Sequence, residues 1–163
     1  MPERFERLVI LNTWLHREGA QVPEDLRKWR EYALSRWDLP CGKVVARSLR
    51  RPGQDLAAVE AAYDAPFPDA AAKAGARRFP WCLPFAQPVE GNAQDQARCA
   101  LALEAWTKPA HVIFSDADVI FPAELGRRWA ARIPGATFDT IPGAGHFLQE
   151  EAGEEIAAKI LKL

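Results

Sequence analysis

The sequence predicts an α/β protein: about three parallel strands with flanking helices, interrupted by a helical insertion. Three observations predict it. Short runs that are apolar on both faces recur at residues 5–12, 110–115 and 136–141, as in strands buried within a parallel sheet. Stretches of helical spacing follow the last two, at residues 122–131 and 150–163, which makes strand–helix–strand–helix and hence a parallel βαβ unit. The chain between these runs changes character, holding most of the 13 prolines and short aromatic contexts such as Pro66-Phe67-Pro68 and Phe79-Pro80-Trp81.

Taken in order, residues 5–12 (Phe-Glu-Arg-Leu-Val-Ile-Leu-Asn) form the first strand almost at the start of the chain. Helical pieces are predicted at 24–37, 55–63 and 69–77, inside an insertion spanning 15–86. A helix over 92–106 leads back to the sheet, and Lys108-Pro109 introduces the second strand. Pro122 suits the first position of the next helix, which carries Leu125 and Trp129 on one face. The third strand is bracketed by Pro134-Gly135 and Pro142-Gly143, and the last helix turns Ile156, Ile160 and Leu163 inward. The expected organisation is a partial core made of 1–14 and 87–163 with a cap at 15–86.

With 163 residues, 48% hydrophobic and 26% charged, the chain is long enough to bury a core. A formal net charge of −1 gives no field to steer nucleic acid or anionic lipid, so neither is an expected partner. No apolar run approaches the length of a membrane span. No export signal is read at the N-terminus, and Cys41, Cys82 and Cys99 are too scattered for a disulfide framework or zinc site. The expectation is a cytoplasmic protein with reduced thiols, no metal and no cofactor.

The chemistry concentrates in two loops. Gly143-Ala144-Gly145-His146-Phe147 follows the third strand, and Ser115-Asp116-Ala117-Asp118 follows the second. Loops at this edge of an open α/β sheet are where ligands collect. Glycines at 143 and 145 let the backbone turn so that His146 projects as a general base. A carboxylate after the preceding strand accepts the imidazole N–H and fixes the tautomer. Asp118 is preferred to Asp116 because Asp118 stands four residues before Pro122 and the next helix. His16 and His111 lack such a setting and read as structural or solvated. Most of the six tryptophans read as core or surface aromatics; Trp29, in the helical insertion, would donate its indole N–H to an anion if it is aimed into the cleft. An acid and a base are present, but no nucleophile elbow precedes them.

The pieces Tyr63-Asp64-Ala65-Pro66-Phe67-Pro68-Asp69, Lys73-Ala74-Gly75-Ala76-Arg77-Arg78-Phe79-Pro80 and Gly143-Ala144-Gly145-His146-Phe147-Leu148-Gln149-Glu150 together resemble the haloalkane dehalogenases, over almost the whole chain. The resemblance implies the C-terminal part of an α/β-hydrolase fold carrying a helical cap. It implies an Asp nucleophile that displaces halide to form an alkyl ester, with His146 activating water against that ester and Asp118 as its acid. By the same resemblance Trp29 binds the leaving halide, while Phe79, Pro80, Leu83 and Ile120 line an apolar pocket. The implied partners are a small halogenated hydrocarbon, halide ion and water. The five strands that would carry the nucleophile have no counterpart, so the chain reads as a fragment, inactive alone and prone to self-association through the exposed edge of its first strand. The alternatives are an epoxide hydrolase-like or other α/β-hydrolase fragment, for which only Tyr32 and Tyr63 are available as cap tyrosines, or a non-catalytic truncated domain.

Overall fold

The computed structural model describes residues 2–15, 17, 22–83 and 92–162. Along the chain run β1 (Leu8–Leu11), α1 (Glu24–Ser35), α2 (Cys41–Ser48), α3 (Leu56–Asp64), α4 (Ala74–Arg78), α5 (Ala93–Glu104), β2 (Ala110–Ser115), α6 (Ala123–Ala130), β3 (Thr137–Ile141) and α7 (Leu148–Ile160). Single 3-10 turns stand at Pro2–Arg4 and Phe79–Cys82. His16, Leu163 and the expected boundary at 86/87 lie outside the described residues.

The chain divides into two compact units: Met1–Trp14 with Ser48–Gln54 and Cys99–Leu163, and Leu15–Arg47 with Asp55–Arg98. Segment Ser48–Gln54, which the sequence reading places inside the insertion, therefore groups with the sheet.

The first unit is a three-stranded parallel sheet in the order β1-β2-β3. Leu8 stands beside Ala110 and Leu11 beside Ile113, while His111 pairs with Thr137 and Ser115 with Ile141. Side chains alternate across a strand, and here both faces are apolar. Ile10, Val112 and Phe114 join Trp106, Ala130 and Ile133 on one face. Val9, Leu11, Ile113 and Ile141 meet Ala144, Leu148, Ala152 and Ile156 on the other. Helix α6 thus covers one face and α7 the opposite one, which is why β2 has no polar position before Ser115 except the half-buried His111. In α6 the fully buried positions are Gly126 and Ala130, with Leu125 and Trp129 only half-buried; a side chain at 126 would meet the Phe114 ring at 2.5 Å.

The second unit is helical. Its helices α1, α3 and α4 overlap the predicted pieces, with shifted ends; α3 and α4 each run one residue past the predicted C-terminal end. α1 stops at Ser35 because Arg36 is extended, and Trp37 is left 67% exposed under the Arg77 guanidinium at 4.2 Å. α4 starts at 74 rather than 69, since Asp69 uses its carboxylate to hold the Ala72 N–H in a turn at 2.9 Å. α2 has no counterpart in the sequence reading. It lies against α3 at Gly42, whose N–H donates to Asp64 at 2.9 Å and where a Cβ would sit 2.0 Å from the Glu60 carbonyl oxygen.

Candidate active site

The two loops that leave β2 and β3 come together. His146 Nδ1 lies 2.8 Å from Asp118 Oδ2. The Asp118 side chain is completely buried and that of His146 23% exposed, so the carboxylate is shielded while part of the imidazole stays open. Asp118 Oδ1 accepts the Ile120 N–H at 2.7 Å, which fixes the carboxylate plane toward the imidazole. The ring is bounded by Phe121, centroid to centroid 5.5 Å, and by Phe147 at 5.0 Å in an edge-on contact. Asp116, the competing carboxylate, is occupied elsewhere: it accepts the Gly143 N–H at 2.6 Å and is exposed.

The loop carrying His146 is built from its backbone outward. Gly143 has φ +71°, a conformation glycine adopts without strain. Gly145 serves a different purpose from the sharp turn read in the sequence, because a Cβ there would lie 2.2 Å from the Ser48 carbonyl oxygen. It is a close approach of two backbones. Asn12, at the end of β1, is buried and reaches across the sheet edge. Its Nδ2 donates to Ser115 Oγ at 2.7 Å, Gly145 O at 3.1 Å and His146 O at 3.0 Å. Its Oδ1 accepts the Ser115 N–H at 2.9 Å, and Ser115 Oγ donates to Gly145 O at 2.7 Å.

A second group holds the loop from the far side. Glu151, in the first turn of α7, is 8% exposed. Its Oε2 accepts the Gly145 N–H at 2.6 Å, and its Oε1 accepts the backbone N–H groups of Arg50, at 2.6 Å, and of Arg51. The Arg51 guanidinium donates to Pro142 O, to Glu151 O and to the Glu155 carboxylate. Its hydrogen bond to Glu155 raises its pKa above the usual arginine value, partly opposed by desolvation and reinforced by the charges of Glu155, Glu151 and Asp116. Sequence reading missed Asn12, Ser115, Glu151 and Arg51. The signal for Glu151 was available: a carboxylate three residues after Leu148 and next to Ala152, on the buried stripe of a helix.

The other expected site residues are placed as follows. Trp29 is half-buried on α1, stacked on Tyr32 with centroids 6.2 Å apart. Pro80 is buried, and Leu83 and Ile120 are half-buried. Phe79 is 73% exposed. A concavity of about 320 Å³ in the helical unit is lined by Tyr32, Arg36, Pro40, Lys43, Val44 and Arg47, none of them a residue expected to line the apolar pocket. Among the described residues no group of three or more His, Cys, Asp or Glu could hold a metal ion, and no helix is long and apolar enough to cross a membrane.

No protein-family model matches the chain. Curated relatives do. A haloalkane dehalogenase of Psychrobacter cryohalolentis is 33% identical over 99% of the chain and 53% of the relative. One of Mycobacterium marinum is 36% identical over 98% and 53%. Among solved structures, the haloalkane dehalogenase DpaA of Paraglaciecola agarilytica NO2, described as tetrameric, superposes with a TM-score of 0.80 at 25% identity, over 96% of this chain and 51% of that one. An α/β-hydrolase fold protein of Burkholderia ambifaria superposes at 0.71 with 21% identity, over 98% and 57%, which shows the fold alone. The sheet and its helices are the C-terminal part of an α/β-hydrolase fold. The chain spans about half the length of the curated relatives it matches.

Proposed function

We propose, from the premise that this chain is homologous to haloalkane dehalogenases over nearly all its length, that it carries the water-activating half of a hydrolytic site acting on carbon–halogen bonds. The observation that carries the reading is the His146–Asp118 pair, 2.8 Å apart, with a fully buried carboxylate. With Nδ1–H donated to Asp118, Nε2 keeps its lone pair. Nε2 takes a proton from water while the water oxygen attacks the carbonyl carbon of an alkyl ester. The ester C–O bond then breaks, releasing the alcohol and restoring the carboxylate. Asp118 holds the tautomer and stabilises the imidazolium.

The ester comes from an earlier displacement in which a carboxylate bonds to the carbon and the halide departs with the bonding electrons. The sequence carries no nucleophile elbow ahead of Asp118 and His146, and a triad missing a member retains at best a small residual rate. The reading therefore assigns activity to an assembly that supplies the nucleophile. Trp29 is its halide donor through the indole N–H, and Phe79, Pro80, Leu83 and Ile120 form its apolar lining. A small halogenated hydrocarbon, halide and water are its ligands, and the cytoplasm its place. β1 pairs only with β2 among the described residues, so its second edge is open to another strand. That edge favours self-association of the chain on its own.

Halide release, followed by a pH indicator, tests the reading. The expected result is none from the chain alone and measurable release after mixing with the remaining half of a relative. In the mixed form, His146→Ala should leave a trapped alkyl adduct, visible by mass spectrometry, after one equivalent of halide. Sustained turnover by His146→Ala refutes the reading.

A further inference from the structure

We propose that Glu151 is a positioning residue for His146, acting through the backbone of the loop and not by touching substrate. The inference rests on the reading of His146 as the base. A carboxylate that is 8% exposed must have its charge met by donors, since burial of an unpaired charge is costly. The donors of Glu151 are three backbone N–H groups, at Gly145, Arg50 and Arg51. One belongs to the residue immediately before His146; the other two belong to a segment about a hundred positions away in sequence. A buried carboxylate spent on backbone amides fixes those amides to one another, because charge-assisted hydrogen bonds are short and directional.

The surroundings are built to keep Glu151 in that role. Helix α7 is kinked at Ala152, where φ is −143° and ψ 29°, immediately after Glu151. The Glu151 carbonyl accepts Arg51 Nη1 at 3.2 Å, and Arg51 is held in turn by Glu155 and by Pro142 O, just ahead of the His146 loop. Gly145 admits no side chain against Ser48 O. From the opposite side Asn12 Nδ2 grips Gly145 O and His146 O. Gly145 is thus held at its N–H by Glu151 and at its carbonyl by Asn12, so the backbone from which the imidazole meets Asp118 is fixed on both flanking peptides. Glutamine at 151 breaks this, since it offers acceptor lone pairs on one oxygen only and presents N–H groups to the remaining donors.

The test is modification of the histidines by diethyl pyrocarbonate, read residue by residue by mass spectrometry between about pH 5 and 8, on the full chain. The expected result is that the pH profile of His146 moves in Glu151→Gln in the same direction as in Asp118→Asn, and no further in the double variant. His111 serves as the internal reference and keeps its profile. Backbone amide exchange over 143–147 should accelerate roughly tenfold in Glu151→Gln. If Glu151→Gln does not fold, Glu151→Asp, which keeps the charge and shortens the reach, is compared in the same way. An unchanged His146 profile in the folded variant overturns the proposal, even where thermal stability falls, because Glu151 is then structural only. Additive displacements in the double variant also overturn it, because Glu151 then acts through its charge and not through the Asp118 contact. The expected profiles together with no halide release in the complemented assembly leave Glu151 in its role and remove the hydrolase reading alone.

Discussion

Asn12→Ala is expected to be far more damaging than Ser115→Ala, although the two side chains hydrogen-bond each other. Asn12 is buried at the end of β1 with φ +25°, and four contacts depend on it. Removing its amide leaves the buried Ser115 N–H without its acceptor, a cost of about 1–3 kcal/mol, and takes the Asn12 donor from the partly buried His146 carbonyl, costing about 0.5–1.5 kcal/mol. Alanine at a positive φ adds about 1 kcal/mol. The total is about 4 kcal/mol. In Ser115→Ala, by contrast, Gly145 O keeps the Asn12 amide and Asn12 keeps two carbonyl acceptors, so no atom is orphaned and the loss is about 1 kcal/mol. Urea unfolding followed by circular dichroism decides between them, at matched protein concentration because association shifts apparent stability. Equal losses in the two variants, or a loss under about 1.5 kcal/mol for Asn12→Ala, would show that counting orphaned groups is the wrong account of this loop.

Three further outcomes can be checked on the same chain. Gly42→Ala should cost at least about 1–3 kcal/mol, the usual price of overpacking, because the new Cβ meets the Glu60 carbonyl at 2.0 Å; Gly75→Ala, with nothing within 4 Å, should instead stabilise by about 0.5–1 kcal/mol, both read from urea midpoints. Burial first and the Arg7 charge second depress the His111 pKa below its ordinary 6.5, with Asp139 opposing. The unfolded chain then takes up a proton below pH 6.5 that the folded chain refuses, so stability falls as the pH drops through that value. His111→Gln should flatten that part of the stability–pH curve, and an unaltered slope would count against the assignment. In the complemented enzyme, Trp29→Phe should weaken halide quenching of tryptophan fluorescence; identical quenching removes Trp29 from the halide site.

What was legible in the sequence follows from where the physical signal is strong. β2 reads to the residue because both its faces are apolar and Pro109 marks its start, and β3 to within one. The His146–Asp118 pairing was legible because each residue closes a strand of the same parallel sheet, so the sheet brings their loops to one edge. α2 was not. Its buried positions Gly42, Val45 and Ala46 are mostly small, and eight residues with a glycine second give weak periodicity. The onset of α4 was misplaced because the Asp69 carboxylate accepts the Ala72 N–H in a turn ahead of the helix, which apolar spacing does not register. Glu151 was legible but unused: a carboxylate in the apolar stripe of a helix marks a buried charge that needs donors, and two of the donors are backbone groups far away in sequence. Nor does any local pattern reveal that Ser48–Gln54 folds with residues a hundred positions later.

That excursion of Ser48–Gln54 gives the helical part of the chain an unusual wiring. Instead of one long insertion, Leu15–Arg47 and Asp55–Arg98 are two separate excursions, each leaving the sheet-bearing unit and returning to it. Their lengths differ so little that the difference in closure entropy is about 0.3 kcal/mol. The two excursions are not independent of each other, because α2 of the first packs on α3 of the second at Gly42, so an exchange must take both. A transplant that replaces everything from 15 to 98 in one piece carries away Arg50 and Arg51 as well, the two residues whose backbone Glu151 holds. Exchange of the helical unit therefore takes two cassettes together and leaves the stretch between them, whose backbone Glu151 holds.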